Sequence, residues 1–409
     1  MRQKPASFTT FAAMKRAIIA LLMLWMAGMQ AGAAGEDSLR ISLLTCGAGD
    51  EIYSLFGHTA LRVEDRTTGR DVVYHYGVFD FDTPNFALKF ALGETDYQMG
   101  MTSYKRFLSE YAWLGRSVEQ QVLDLTPEEA RRLADRLAEN YRPENRVYRY
   151  SYFYDNCATR PRDQVEQAVE GHVDYGRDME SRATGLTFRS IMRHYAEGHP
   201  WSRFGMDFCL GSKADEPVNL RETMFVPFNV RDYFATAQIA APDGTARPLT
   251  RPAETLVPCP DTRTPQEDQS LTPLQAALLL FAATAGATIY GLKRKRPLWG
   301  IDAVLFAAAG LAGIIPAFLV LFSQHPAVSP NYLLLVFHPL HLLCLPWMLR
   351  RVSQCRRSRY MAANFTVLTL FILLWAVIPQ RFDLAVLPLA CCLLVRSGSN
   401  LVLSCRKQD

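Results

Sequence analysis

The sequence predicts an α+β extracytoplasmic domain followed by an all-α transmembrane bundle of about five helices. Three observations predict it. An export signal opens the chain, strand-like patterns and one strongly capped helix fill residues 35–240, and long apolar segments follow from Pro273. The whole-chain averages, 49% hydrophobic and 21% charged, hide this division and would suit an ordinary soluble protein.

Lys15 and Arg16 precede an apolar run from Ala17 to Met29, and the small residues Ala31-Gly32-Ala33-Ala34 follow. Residues 1–34 therefore read as a secretory signal peptide or an uncleaved N-terminal anchor, and either way the next segment leaves the cytoplasm. At the other end, apolar segments run over 273–292, 298–322, 331–349, 361–379 and 382–404. Most are long enough for a hydrocarbon core of about 30 Å. Basic residues follow the first, third and fifth segments: Lys293 to Arg296, then Arg350, Arg351, Arg356, Arg357 and Arg359, then Arg406 and Lys407. The loops 323–330 and 380–383 carry Arg381 alone. Positive charge stays cytoplasmic, so the region before Pro273 is extracytoplasmic, in agreement with the export signal. Arg396 interrupts the last segment, which is expected to be short and to end near Val395. Much of the net charge of +4 lies in these cytoplasmic loops and calls for no nucleic-acid partner.

Of nine cysteines, Cys46, Cys157, Cys209 and Cys259 belong to the exported part, where disulfides are permitted and the pairing is left open. No Cys/His spacing suits a metal, so neither metal nor cofactor is expected.

Within 35–240, Leu39–Leu44 is a strand candidate, and Thr59–Val63 with Asp71–Phe79 reads as a strand pair turned at Asp65–Gly69. A helix starts at Thr126, with Pro127 in its first position and Glu129 completing a capping box; Leu133, Leu137 and Tyr141 line one face. Val147–Tyr154 is expected as a strand whose four tyrosines pack in the core or form a ligand platform. A helix is expected around Asp163–Glu170. With Pro161 in its first turn it would begin near Ala158 or Thr159, leaving Cys157 just ahead of it. Residues 241–272, rich in Pro, Thr and charge, read as a linker.

A thiol nucleophile needs a lowered pKa, a base within reach and donors for an oxyanion. Cys157 sits at a strand-to-helix junction where free N–H groups favour a thiolate, and Arg160 and Arg162 add positive potential. A cysteine at such a junction is also commonly structural. Candidate bases are His58, behind Gly57 at the head of a strand, and His75 on the next strand; His172, His194 and His199 remain.

Around these residues the chain resembles the Lnb family, membrane-anchored thiol acyltransferases that N-acylate bacterial lipoproteins. The resemblance lies in Phe56-Gly57-His58-Thr59-Ala60-Leu61-Arg62-Val63, in Tyr76 through Phe86, and in Tyr154-Asp155-Asn156-Cys157-Ala158-Thr159-Arg160. It continues through Pro200-Trp201, Gly205-Met206-Asp207, Leu210-Gly211-Ser212, Met224-Phe225-Val226-Pro227 and His325 through Asn331. The His-before-Cys order is also similar to circularly permuted papain-like (NlpC/P60-like) enzymes, the group that includes lecithin–retinol acyltransferases. The resemblance implies Cys157 as nucleophile, His58 as base and His75 orienting the imidazole, a place where relatives are expected to carry Asn as often. It implies Asn156, Arg160, His325 and Asn331 around the substrates. It further implies a bacterial inner-membrane location, a phospholipid acyl donor and lipoproteins as acceptors. A thiol hydrolase of wall peptide or lipid shares the first half-reaction, and a non-catalytic lipid- or peptide-binding factor is the other alternative. In the bundle, His338-Pro339-Leu340-His341 either kinks a helix or marks a cavity.

Overall fold

The computed structural model describes residues 39–79, 82, 84–259 and 271–405. The expected signal or anchor at 1–34 lies outside them. The strands are β1 (Leu39–Cys46), β2 (His58–Asp65), β3 (Arg70–Val78), β4 (Asp96–Ser103), β5 (Val118–Val122), β6 (Val147–Arg149), β7 (His172–Asp174), β8 (Gln238–Ala240), β9 (Ala246–Pro248) and β10 (Glu254–Val257). Seven form one antiparallel sheet in the order β10-β5-β1-β2-β3-β4-β6, and β7, β8 and β9 form a second, small sheet.

β1 lies inside the sheet because both of its faces are apolar. Ile41 and Leu43 join the core on one side, Leu44 and Cys46 the core on the other. β2 and β3 pair as expected, and the turn between them is built by Asp65, whose carboxylate accepts from the N–H groups of Thr67 (2.9 Å) and Thr68 (3.2 Å).

Four helices matter for the site: α1 (Phe86–Leu92), α2 (Tyr104–Trp113), α3 (Pro127–Tyr141) and α4 (Thr159–Glu166). In α3 the Thr126 hydroxyl accepts from the Glu129 N–H (3.3 Å), and the Glu129 carboxylate accepts from the Thr126 N–H (2.9 Å). Leu133 and Leu137 are fully buried, each such burial stabilising by roughly 1.5–3 kcal/mol. α2 covers the opposite face, where Phe107 and Tyr111 pack with Leu44, Cys46, Ala60 and Val73.

Two stretches differ from expectation. The segment 147–154 is a strand only over Val147–Arg149. The Tyr150 N–H still reaches the Thr95 carbonyl at 3.1 Å, but a Ser151–Asp155 bridge then closes a turn. The tyrosines accordingly diverge: Tyr148 is buried, whereas Tyr154 is exposed. Residues 241–272, read as linker, include β9 and the edge strand β10, while Leu249 is fully buried. Pairing at a sheet edge asks little of composition, so Pro- and Thr-rich sequence conceals it.

Beyond Thr272 the chain is helical. Pro273–Lys293, Trp299–Phe322 and Val386–Cys405 are long and apolar enough to cross a membrane. The third expected segment is a broken pair, Tyr332–Leu343 and Leu345–Ser353, bent by 80°, and the fourth holds the shorter helix Arg359–Leu373. The fifth does not end at Val395. Arg396 is 1% exposed and forms an ion pair with Asp302 at 2.6 Å, which lets the helix continue to Cys405. Gly313 provides the closest approach in the bundle, since a Cβ there would stand 2.4 Å from the His338 nitrogen.

Domain and bundle meet through backbone. The Gly211 N–H donates to the Ala327 carbonyl and the Ser212 N–H to the Pro330 carbonyl, both at 2.8 Å. Arg189, 1% exposed, gathers Asp207, Asp215 and the carbonyls of Leu210 and Gly211 at the same junction.

Candidate active site

One end of the central strands of the large sheet collects the predicted Cys157, His58 and His75. Cys46, the last residue of β1, faces His58, the first of β2, and Ala60 faces His75 on β3. The two imidazoles meet edge to face, centroids 5.5 Å apart. Carried on two places, the β2–β3 register brings Gly77 level with His58. Gly77 has φ +89°, and a Cβ on it would stand 3.4 Å from the Cys157 Cβ. Only glycine suits that backbone with the cysteine so close. Gly57 is constrained likewise: at φ +80° its Cβ would fall 2.7 Å from the Cys46 carbonyl. Cys157 thus lies over the strand ends that carry both histidines.

Asn156 places it there. Its side-chain amide donates to the carbonyls of Tyr152 (2.8 Å) and Phe225 (2.9 Å), and its oxygen accepts from the N–H groups of Ala158 (2.8 Å) and Thr159 (3.0 Å). Helix α4 then begins at Thr159 with Pro161 in its first turn and Cys157 just ahead, as expected. With both donors and both lone pairs engaged, the Asn156 side chain has nothing left for a substrate; it is a positioning residue.

The electrostatics depart from the expected thiolate. The N–H groups of Thr59 and of Cys157 itself point at the sulfur and favour the anion, but burial outweighs them and pushes the thiol up to about 11. The imidazoles move the other way. Burial, the neighbouring His75 and Arg116 hold His58 well below its usual 6.5, and burial brings His75 to about 4. At neutral pH the site holds a thiol and two neutral imidazoles. No hydrogen bond joins the sulfur to either ring among the described residues.

Nor are the expected arginines the ones that act on the sulfur. Arg160 is bidentate to Asp155 (2.5 and 2.8 Å), its guanidinium 3.6 Å above the Tyr148 ring. Arg162 is held by Asp163 and the Arg221 carbonyl. The cation beside both Cys157 and His58 is Arg116, which precedes β5. Its Nε donates to the Gly47 carbonyl at 2.8 Å and its guanidinium lies 5.0 Å from the Tyr111 ring centroid. Its Nη2 is buried with no hydrogen-bond partner. In sequence Arg116 is one arginine before a strand, and no motif marks it.

His325 and Asn331 sit where the bundle meets the domain. The His325 Nε2 lies 2.8 Å from the Phe90 carbonyl, and its ring contacts Tyr152 at 4.6 Å, the residue whose carbonyl holds Asn156. Asn331 is further from the chemistry. Its amide donates to the Phe208 carbonyl and its oxygen accepts from Leu333 and Gln380, so it ties the loop to the domain. Deeper in the bundle His338 and His341 stack 3.9 Å apart, with His341 also bonded to Tyr360 at 2.7 Å. All nine cysteines are free thiols, and no cluster among the described residues could hold a metal ion.

Two family models match the chain. The Lnb N-terminal periplasmic domain matches residues 32–193, and the Lnb transmembrane domain matches residues 265–408. No curated protein and no solved structure matches it significantly. Cys157, His58, His75 and Arg116 fall within the first match, His325 and Asn331 within the second.

Proposed function

From the premise that this chain belongs to the Lnb family, as an inner-membrane protein of lipoprotein N-acyltransferase type with a periplasmic domain, we propose that it transfers an acyl chain from a phospholipid to a lipoprotein through a thioester on Cys157. The observation carrying this reading is the sulfur lying over the strand ends of His58 and His75, with the Thr59 N–H aimed at it.

His58 accepts the Cys157 thiol proton as the sulfur attacks the ester carbonyl of a phospholipid in the outer leaflet. The N–H groups of Thr59 and Cys157, with the open Nη2 of Arg116, receive the negative charge on the carbonyl oxygen. Collapse breaks the ester C–O bond, and the protonated His58 gives its proton to the leaving lysophospholipid oxygen. The α-amino group of a lipid-modified N-terminal cysteine on a lipoprotein then attacks the thioester. His58, neutral again, takes the amine proton and returns it to the departing sulfur. A resting thiol beside a neutral imidazole suits this cycle, in which the base acts during attack and no prior ion pair is needed. Asn156 holds Cys157 in place, His75 backs the His58 ring, and His325 shapes the lipid side through Tyr152.

Intact-mass analysis of the purified protein with phospholipid tests the reading: it expects one acyl adduct, mapped to Cys157 and lost in Cys157→Ser. Deleting the protein should also remove N-acylation from lipoprotein N-terminal peptides. Unchanged N-acylation would give the hydrolase reading its place, and a functional Cys157→Ser protein would leave only a binding role.

A further inference from the structure

Helix α1, Phe86-Ala87-Leu88-Lys89-Phe90-Ala91-Leu92, is apolar at six of seven positions and buries none of them. Leu88 is 50% exposed and Phe90 38%. On a water-facing surface such a helix would be costly. Its position explains it. The Leu92 carbonyl accepts from the Gln324 N–H (2.8 Å), the His325 ring is bonded to the Phe90 carbonyl, and Gln324 reaches Glu94 at 3.2 Å. Gln324 and His325 come two and three residues after the end of Trp299–Phe322, a helix long and apolar enough to span the membrane. α1 is therefore fastened to the outer end of a span, at the level of the lipid surface, where Lys89 suits the head-group layer.

From α1 a ribbon of stacked rings runs inward. Phe90 stacks on Phe86 at 6.3 Å, Phe86 on Phe79 at 5.4 Å, Phe79 on Tyr97 at 5.0 Å and Tyr97 on Tyr150 at 4.0 Å, all within 25° of parallel. Phe79, in the middle of the ribbon, follows by two residues Gly77, whose backbone stands against Cys157: a Cβ on Gly77 would lie 3.4 Å from the Cys157 Cβ. The ribbon thus starts at the bilayer and passes the backbone that stands against Cys157.

We propose that the Leu88–Phe90 face of α1 rests in the outer leaflet and that the ring ribbon Phe90–Phe86–Phe79–Tyr97–Tyr150 carries the acyl chain of the donor phospholipid from the bilayer to Cys157. The proposal rests on the acyl-transfer reading and adds to it the route by which the lipid ester reaches the thiol. A flexible hydrocarbon chain can lie along flat apolar rings without losing its shelter from water, so the ester carbonyl can leave the leaflet while its tail does not.

The test uses the full-length protein in vesicles of phosphatidylethanolamine and phosphatidylglycerol, with Cys157 acylation followed by intact mass. A second reaction supplies p-nitrophenyl butyrate, a donor that arrives through water. In Leu88→Glu/Phe90→Glu the ratio of the lipid-dependent to the soluble-ester rate should fall at least about tenfold. An unchanged ratio overturns the proposal, whether both rates persist or both fall together. Phe86→Ala, which opens the middle of the ribbon, should flatten the gain in rate as the p-nitrophenyl ester lengthens from butyrate to decanoate; an unaltered chain-length dependence also overturns it. Absence of any adduct in the unaltered protein from either donor is a different failure, since it removes the acyl-transfer reading and the route with it.

Discussion

Two arginines in this chain are treated in opposite ways. Arg396, inside the last span, spends all three nitrogens: Nε and Nη2 on Asp302, Nη1 on the Thr288 hydroxyl, and Nη2 also on the Pro297 carbonyl. Arg116, just before β5, spends Nε on Gly47 and keeps Nη2 buried without a partner. An unmade hydrogen bond at a buried donor costs about 1–3 kcal/mol, so an open one needs a reason. Saturated charge holds helices together; on the proposed mechanism, unsaturated charge beside a thiol is left open for a transient oxyanion. Asn156 belongs with the saturated groups, both its donors and its oxygen being engaged.

The comparison breaks most visibly at His58. His58→Ala should slow formation of the Cys157 adduct by about 10²–10⁴-fold, the usual contribution of a general base, while melting temperature changes little. If adduct formation persists at the unaltered rate, another group is the base. Arg396→Leu should behave in reverse. Leaving Asp302 buried without its partner should cost about 3–5 kcal/mol, seen as loss of folded protein in detergent, with Cys157 chemistry intact in what remains folded. Arg396→Leu/Asp302→Leu should recover much of the loss, because no unpaired charge is left behind. Failure of the double variant to recover would mean that Arg396 acts through its other contacts.

Arg116→Ala is the sharper comparison. It should lower the acylation rate about 10–10²-fold, with a thermal shift smaller than that of Arg396→Leu, because an oxyanion donor contributes to the transition state and little to the resting fold. A large thermal shift with an unchanged rate would make it a structural arginine like Arg396.

Much of this was legible beforehand, and the exceptions follow one pattern. Local signals carried well. The Thr126 capping box, the β2–β3 pair and the start of α4 set by Pro161 each depend on a few neighbouring residues. What escaped depends on distant partners. In sequence Arg396 reads as the end of a span, because its counter-ion Asp302 lies far back in the chain. Arg160 was expected to charge the site, but Asp155 and Tyr148 had claimed it. Arg116 belongs to the site only because β5 pairs with β1 and brings it beside Gly47. The thiolate was inferred from a helix start and nearby cations, whereas burial, a property of the whole fold, decides the protonation state.

That last difference yields the subtlest prediction. Burial disfavours every charged form at the site, so the groups depart from their ordinary values in opposite directions: Cys157 up to about 11, His75 down to about 4, His58 well below 6.5. A histidine lowered by folding stabilises the protein above the unfolded value near 6.5, and that stability is lost as pH falls from there toward 4. A thiol raised by folding stabilises it below the unfolded value near 9, and that is lost as pH rises toward 11. For reactivity, alkylation of Cys157 by iodoacetamide, read peptide by peptide, should keep rising past pH 9. Enzymatic acylation, with neutral His58 as the proposed base, should hold to well below the ordinary histidine value of 6.5 before its acid limb begins. A plateau of alkylation already reached at pH 8 would mean a preformed thiolate–imidazolium pair. The site would then belong with the saturated charges of the bundle, and Arg116 would have a permanent anion as its partner.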